Sequence, residues 1–418
     1  AASDVYKRQV CEKTFFTDIF QLRGGANLVI DLKEGGSESQ QYYDLKKALV
    51  AGNGTAGKTK ELFSSAVKIR LRSDVLVGSC LSGGLDSSAI VATAANFLTK
   101  DEKGNFRAVH AISTDGNRDE SKYARLVASR SLIELSTLKP SYDDFRNSLD
   151  EVVRAQEEPF GSTSIVLQFL VMKKAKEIGV KVLLDGQGGD ETWLGYGRYF
   201  AAYLTIKSMP KFIENINWIS SNTELSRLKL LLYTIYFKST FFRKIGFFIK
   251  YRGAFKRSII KFDLLNELVA SYSSITDLQV DEIRNFQLPR LLRYEDKNSM
   301  WHSIETRLPF LDYRLVEHAL GEPINKKISE GWSKLSIRKI MDDVLDKRVA
   351  WRKSKFGFEA PEDHWVDRHR DDMINHINDS KLLSKYLKNK ITDSTKIDKK
   401  LFWRLYSVAK WELTFHVK

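Results

Sequence analysis

VLVGSCLSGGLDSSAI, residues 75–90, is the stretch on which the reading of this chain turns. An apolar run over 75–81 has strand character. It passes at once into Ser82-Gly83-Gly84, and a helix is expected from Ser87. Glycines at such a turn let successive main-chain N–H groups converge on an anion, and the helix start adds its partial positive charge. The hydroxyls of Ser82, Ser87 and Ser88 supply further donors. No Gly-Lys-Ser/Thr follows, so the lysine that grips β- and γ-phosphates in a Walker loop is absent from this stretch. An anion cradle without lysine but with Asp86 suits a magnesium-bound pyrophosphate leaving group.

Outward from this stretch, helix and strand alternate. Helices are expected over 61–72, 120–130, 145–156 and 165–178, with strands over 107–113 and 180–184. Short strands separated by helices predict an α/β fold with a doubly wound parallel sheet. Ligands in such sheets lie beyond the carboxyl ends of the strands. A second such end is LLDGQGGDETWLGY, residues 183–196, where an apolar strand runs into a Gly-rich turn bearing Asp185, Gly186, Gln187, Asp190 and Glu191. Asp86 and Asp190, on two strand ends, are the expected metal pair, because Mg²⁺ takes a few carboxylates together with phosphate oxygens.

From about residue 203 the chain reads as largely helical. Residues 207–261 mix Trp218, Tyr233, Tyr236, Phe241, Phe242, Phe247 and Phe248 with lysines and arginines. The expectation is aromatic core faces backed by basic outer faces, with an amphipathic helix lying on a membrane as the alternative. Residues 10–56 read as short strands and turns.

The bulk properties set limits. The chain has 418 residues, 43% hydrophobic and 29% charged, so it can bury a sizeable core. Cys11 and Cys80 give neither a disulfide framework nor a zinc spacing, which fits a reducing cytoplasm. No apolar run reaches the roughly 18 residues of a membrane span. The net charge of +14 is spread along the chain, and nucleic acid is not an expected partner.

SGGLDSS resembles the PP-loop of N-type ATP pyrophosphatases, and the turn at 185–191 resembles the S/D-G-x-G-x-D-E motif of the same group. RYEDKNSMWHSIETRLPFLDYRLVE, residues 293–317, is similar to the synthetase domain of the asparagine synthetase B family. GWSKLSIRKIM and VAWRKSKFGFEAPEDHW, within 331–365, complete four motifs in that family's order. The resemblance implies a PP-loop domain over 57–418, with a variable helical segment at about 203–275. It implies ATP and Mg²⁺ as cofactors, with Leu81, Ser82, Gly83, Gly84, Asp86, Ser87, Ser88, Asp185 and Gly186 around the nucleotide. Lys334 and Arg338 are expected at the pyrophosphate, and Asp86 and Asp190 on the metal. Lys355 corresponds to the family lysine that stabilises charge at the α-phosphorus. Asp296 is expected at the acceptor pocket, and Arg307 paired with Glu305 or Asp312. Gln187 stands where the family commonly carries a glutamate, and a glutamine takes no proton at neutral pH.

The implied reaction is adenylation of a carboxylate, aspartate first, followed by transfer of ammonia to form an amide. Rival readings are amidation or cyclisation of another carboxylate, a PP-loop tRNA-modifying enzyme, and a silent paralogue. The family's ammonia comes from an N-terminal glutaminase domain. Residues 1–56 are therefore expected to be a remnant and linker behind a missing one, with a homodimer left open.

Overall fold

The structure is a computed structural model that describes residues 14–51, 57–101, 106–113, 119–251, 253–256, 274–353 and 360–417; the side chains of residues 50, 51, 247, 250, 362 and 363 are outside that description. The first elements are β1 (Ala26–Ile30) and β2 (Ser37–Gln41), paired antiparallel as a hairpin whose Leu28, Val29 and Ile30 are exposed. The hairpin agrees with the strand-and-turn reading of residues 10–56, but Leu45–Ala51 is a helix that the reading did not expect, and residues 10–13 and 52–56 lie outside the described residues.

The central sheet holds β3 (Val77–Cys80), β4 (Arg107–Ala111), β5 (Glu134–Leu138), β6 (Val182–Leu184) and β7 (Glu305–Arg307). Their order across the sheet is β5-β4-β3-β6-β7, and every pairing is parallel. The chain thus winds outward from β3 through β4 to β5. It then returns by way of helices Tyr142–Gln156 and Ser164–Glu177 to lay β6 on the other side of β3. The winding direction reverses between β3 and β6, the place where α/β sheets open a crevice at their carboxyl edge.

Side-chain alternation along the strands fixes what each face buries. Ala108 and Leu184 point into a core with helices Thr59–Arg70, Leu85–Ala95 and Ser121–Ser131. Their neighbours Val109 and Leu183 point the other way, onto Val171, Met172 and Ala175 of helix Ser164–Glu177. Helices cover both faces, as the doubly wound reading requires. Helix Leu85–Ala95 is buried at every position, which its serines and alanines permit by leaving little volume to accommodate. A separate aromatic core joins Phe145, Phe160 and Phe169 to Trp365 and to Trp403 of the C-terminal helix Lys399–Phe415, with Phe145 stacked on Trp365 at 4.7 Å.

Two strands went unread in the sequence. β5 is an edge strand of mixed burial, and β7 is three residues long with charged residues at both ends. Neither carries the apolar run that marked β3, β4 and β6. The motif at 293–317 lies on helix Gln287–Trp301, β7, a short turn of 3-10 helix at Pro309–Leu311 and helix Tyr313–Gly321. Asp312 caps the last, accepting from the Arg314 N–H at 3.2 Å.

The expectation for the aromatic, basic region is corrected. It folds as helices Met209–Asn222, Arg227–Lys238 and Thr240–Tyr251, but Trp218, Tyr233, Tyr236, Phe241 and Phe242 are all exposed. Only one stripe of a helix can face the core, and in Arg227–Lys238 that stripe is Leu230, Thr234 and Phe237, spaced i, i+4, i+7. The other apolar residues have no face left to bury. Residues 257–261 of that region lie outside the described residues.

Phe63 and Phe310 are fully buried, 5.0 Å apart, and join helix Thr59–Arg70 to the segment after β7. Truncating Phe310 to alanine is expected to destabilise the domain by about 3–5 kcal/mol. Urea unfolding followed by tryptophan fluorescence reads the shift in midpoint; an unchanged midpoint would mean that this contact does not hold the two segments together.

Candidate active site

The carboxyl ends of β3, β4 and β6 open into one cleft of about 940 Å³, lined by Leu81, Ser82, Gly84, Asp86, Ser87, Asp185, Gly186, Gln187, Asp190, Lys334 and Arg338 among others. Eleven sequence-nominated residues therefore share one cavity. Ser82 and Ser87 shape the turn after β3: their hydroxyls lie 2.9 Å apart, the Ser82 N–H donates to Ser87 Oγ at 3.2 Å, and the Gly84 N–H to Ser82 Oγ at 3.2 Å. Gly83 has φ +82° and sits 3.0 Å from main-chain atoms of Glu120 and Ala124 at the Cβ position, so this turn has no room for a side chain. Ser88 lies behind the loop, fully buried, with its N–H donated to the Gly84 carbonyl. Gly84 precedes an eleven-residue helix whose N-terminus points its partial positive charge at this turn.

Asp86, in the first turn of that helix, and Asp190, in the turn after β6, meet on a single group. The Lys334 ammonium is 2.5 Å from Asp86 Oδ2 and 2.8 Å from Asp190 Oδ1, and Lys334 is 3% exposed. Two carboxylates from adjacent strands thus converge on one cation at the reversal point of the sheet. Lys334 is held there in the left-handed backbone region, φ 53° and ψ 34°, a conformation that costs a lysine energy and is characteristic of functional sites. Gly195 permits the approach: a Cβ there would sit 2.0 Å from Asp190 Oδ1 and 2.1 Å from Lys334 Cε. Any side chain at 195 would displace the ion pair.

Arg338 lines the same cleft, with Nη1 donated to the Ala350 carbonyl at 2.6 Å, Nε to the Ser333 carbonyl at 2.9 Å, and its plane over the Trp332 ring at 4.8 Å. Burial pulls its pKa down to about 10. Arg307 pairs with Glu305 at 2.7 Å, one of the two partners expected for it, and donates to the carbonyls of Arg70 and Arg72. Asp296 is corrected: it is exposed on helix Gln287–Trp301 and is not among the described residues lining the cleft, whereas Gln287, Leu291 and Tyr294 of that helix are. Lys355 and Cys11 lie outside the described residues. Lys353, just before the Lys355 segment, and Pro361, the second described residue after it, both line the cleft.

Two residues at the site, Arg352 and Glu295, were not nominated from the sequence. Arg352 pairs with Glu120, donates to the Gly83 carbonyl at 3.3 Å and lies over the Tyr123 ring, bracing the turn after β3. Only its position three residues before Lys355 hinted at it. Glu295 is 1% exposed with neither carboxyl oxygen hydrogen-bonded, and burial, then the charges of Asp185 and Asp296, push its pKa well up. The motif had drawn attention to the neighbouring Asp296, one residue away in helical register. Burial also pushes Asp185 up to about 6, against the pull of the Gly186 N–H. Glu191, 1% exposed, accepts from the Tyr196 hydroxyl at 2.6 Å, and burial, with the Asp190 charge adding, pushes it up to about 7.

A doubly wound parallel sheet with a lysine-free anion turn at its reversal point defines the PP-loop class of nucleotide-binding domains. The asparagine synthase family model matches residues 58–413, and the chain belongs to that family. It is 27% identical over 336 residues to asparagine synthetase [glutamine-hydrolyzing] 1 of Bacillus subtilis, covering 77% of this chain and 52% of that protein. A putative asparagine synthetase [glutamine-hydrolyzing] 2 of Methanocaldococcus jannaschii is 32% identical over 212 residues, 48% of this chain and 39% of its own. Amidase chry2 of Gibberella zeae is 22% identical over 408 residues, 85% of this chain and 60% of its own. The chain spans about half the length of the curated relatives it matches.

The Glu191 carboxyl gives a pH prediction. Its folded pKa, about 7, lies above the ordinary 4.5, so between these values the folded state keeps a proton that the unfolded chain has released. Stability from this group is full below pH 4.5 and falls as pH rises towards 7, by about 3 kcal/mol. Urea midpoints from pH 4.5 to 8 should show the fall for the wild type relative to Glu191→Gln; parallel curves would mean that Glu191 does not hold this proton.

Proposed function

We propose that this chain is an ATP-dependent ligase that adenylates a carboxylate, releases pyrophosphate and transfers ammonia to form an amide. The observation that carries the reading is the meeting of Asp86 and Asp190 on one cation beside a lysine-free anion turn. The main-chain N–H groups in the first turn of helix Leu85–Ala95 hold the β- and γ-phosphates, with Leu81, Ser82, Ser87 and Ser88 shaping the turn before it. Two carboxylates within one ammonium's reach are a donor set suited to Mg²⁺, which takes its remaining ligands from phosphate and water. A bound Mg²⁺ would draw charge from the phosphates and ease departure of pyrophosphate.

Asp86 and Asp190 would hold the metal, the Lys334 ammonium between them would be available to the pyrophosphate, and Arg338 keeps the floor of the cleft in place. Lys355 is proposed to stabilise charge at the α-phosphorus, supported by the cleft-lining positions of Lys353 and Pro361. Ammonia then attacks the acyl carbon and AMP leaves. Gln187 cannot take the proton that ammonia loses, but its amide oxygen accepts an N–H and orients the attack. Asp185, two residues away with a pKa raised to about 6, is the proposed proton acceptor.

Aspartate, giving asparagine, is the acceptor that family membership supports, with the cytoplasm as the setting. A second reading, a larger carboxylate, is favoured by Gln187 and by the apolar wall that Phe200, Leu225, Leu291 and Tyr294 give the cleft. A relative named an amidase also supports a role other than forming asparagine.

Purified protein with ATP, Mg²⁺, ammonium and a panel of carboxylates is expected to release pyrophosphate and AMP with at least one acceptor. Asp86→Asn should abolish release, and Asp185→Asn should release pyrophosphate while forming little amide. ADP as the product, or full turnover by Asp86→Asn, would overturn the scheme.

A further inference from the structure

Helices Arg227–Lys238 and Thr240–Tyr251 form a surface that nothing in the proposed chemistry uses. They are consecutive, joined at Ser239, and pack where Gly246 faces the Tyr236 ring: a Cβ at 246 would lie 3.3 Å from Tyr236 Cε2. Within residues 227–251 there are six basic residues, Arg227, Lys229, Lys238, Arg243, Lys244 and Lys250, and no acidic one. The same 25 residues hold ten of the 30 large exposed hydrophobic side chains found among the described residues. Leu228 and Phe241 are each 66% exposed, Leu232 56%, Ile249 57% and Phe242 50%. Clustered exposure on this scale marks a docking face rather than scattered surface residues.

We propose that this helix pair docks the protein on an anionic lipid surface. The composition fits the interfacial class of amphipathic helices: leucine, isoleucine and phenylalanine to enter the acyl boundary, tyrosines for the headgroup level, and cations for lipid phosphate. Each helix is 12 residues long, about 18 Å at 1.5 Å per residue, and among the described residues no helix is long and apolar enough to cross a membrane. The pair therefore lies on a bilayer rather than through it.

Charge selects this occupant over a second copy of the chain. A two-fold contact would set Arg227, Lys229 and Lys238, all exposed, against their own equivalents with no carboxylate from this face between them. A bilayer with anionic headgroups presents the opposite sign across the whole patch. The face also adjoins the cleft, because Leu225 and Lys229 line the nucleotide cavity. Docking would hold the ligase with its cleft rim near the headgroups.

The test is co-sedimentation of the full chain with sucrose-loaded vesicles of phosphatidylcholine, with and without about one-third phosphatidylglycerol. With three exposed cations engaged, binding to the anionic vesicles is expected to be on the order of a hundredfold tighter than to neutral ones and to weaken in high salt. The double variant Leu232→Glu/Phe241→Glu should lose this binding while keeping the wild-type circular dichroism spectrum. Should that variant misfold, Lys238→Glu, a single exposed charge reversal, should still weaken vesicle binding several-fold. Absence of binding to anionic vesicles, or binding that survives these changes, overturns the proposal. So does a dimer in light scattering that the double variant dissolves without any vesicle binding, which would assign the face to a second copy.

Discussion

One buried ammonium, Lys334, lies between Asp86 and Asp190, and the geometry of the cleft follows from that contact. Taking three charged groups out of water costs several kcal/mol per ion before their attraction offsets it, so such a cluster is weak evidence for stability and better evidence for function. The rest of the neighbourhood is arranged to allow it. Lys334 accepts a left-handed backbone, Gly195 gives up its side chain so that the pair can close, and Gly189 lies where a Cβ would press on the Asp86 carboxyl. Under the proposed function, a cation held by two carboxylates beside a glycine turn is the resting arrangement of a site for a metal–phosphate complex.

The fold delivers these groups from far apart in sequence to one edge. Because the sheet reverses direction between β3 and β6, the turn bearing Asp86 and the turn bearing Asp190 leave neighbouring strands side by side. Lys334 arrives from a third segment, 144 residues beyond Asp190, and Arg352 from a fourth, braced against Glu120. The largely helical region between 196 and 251 adds Tyr196, Phe200 and Leu225 to the lining of the cleft and turns a basic, apolar face outward. The proposed nucleotide chemistry and the proposed surface attachment thus use neighbouring parts of one chain.

What the sequence made legible followed from strong local signals. β3 and β6 announced themselves as apolar runs passing into glycine turns, and the residues nominated at their ends share a cleft. β5 and β7 did not, because edge strands bury less and need no apolar run. Asp296 was drawn in by its motif, but helical register faces Tyr294 to the cleft and leaves Asp296 in solvent. The aromatic residues at 218–242 were expected inside on the ordinary rule that such side chains are buried. Periodicity shows only that a helix has apolar positions, not whether a neighbour exists to cover them all. The convergence of Lys334 on both aspartates lay beyond sequence, since it depends on three segments meeting.

The most direct test of the central contact is calorimetric titration of a non-hydrolysable ATP analogue with and without Mg²⁺, on the wild type and on Asp190→Asn. If Asp86 and Asp190 exchange Lys334 for the metal, Mg²⁺ tightens binding to the wild type by about tenfold or more, and most of that gain disappears in the variant. An undiminished gain in Asp190→Asn would mean that the two aspartates hold only the lysine.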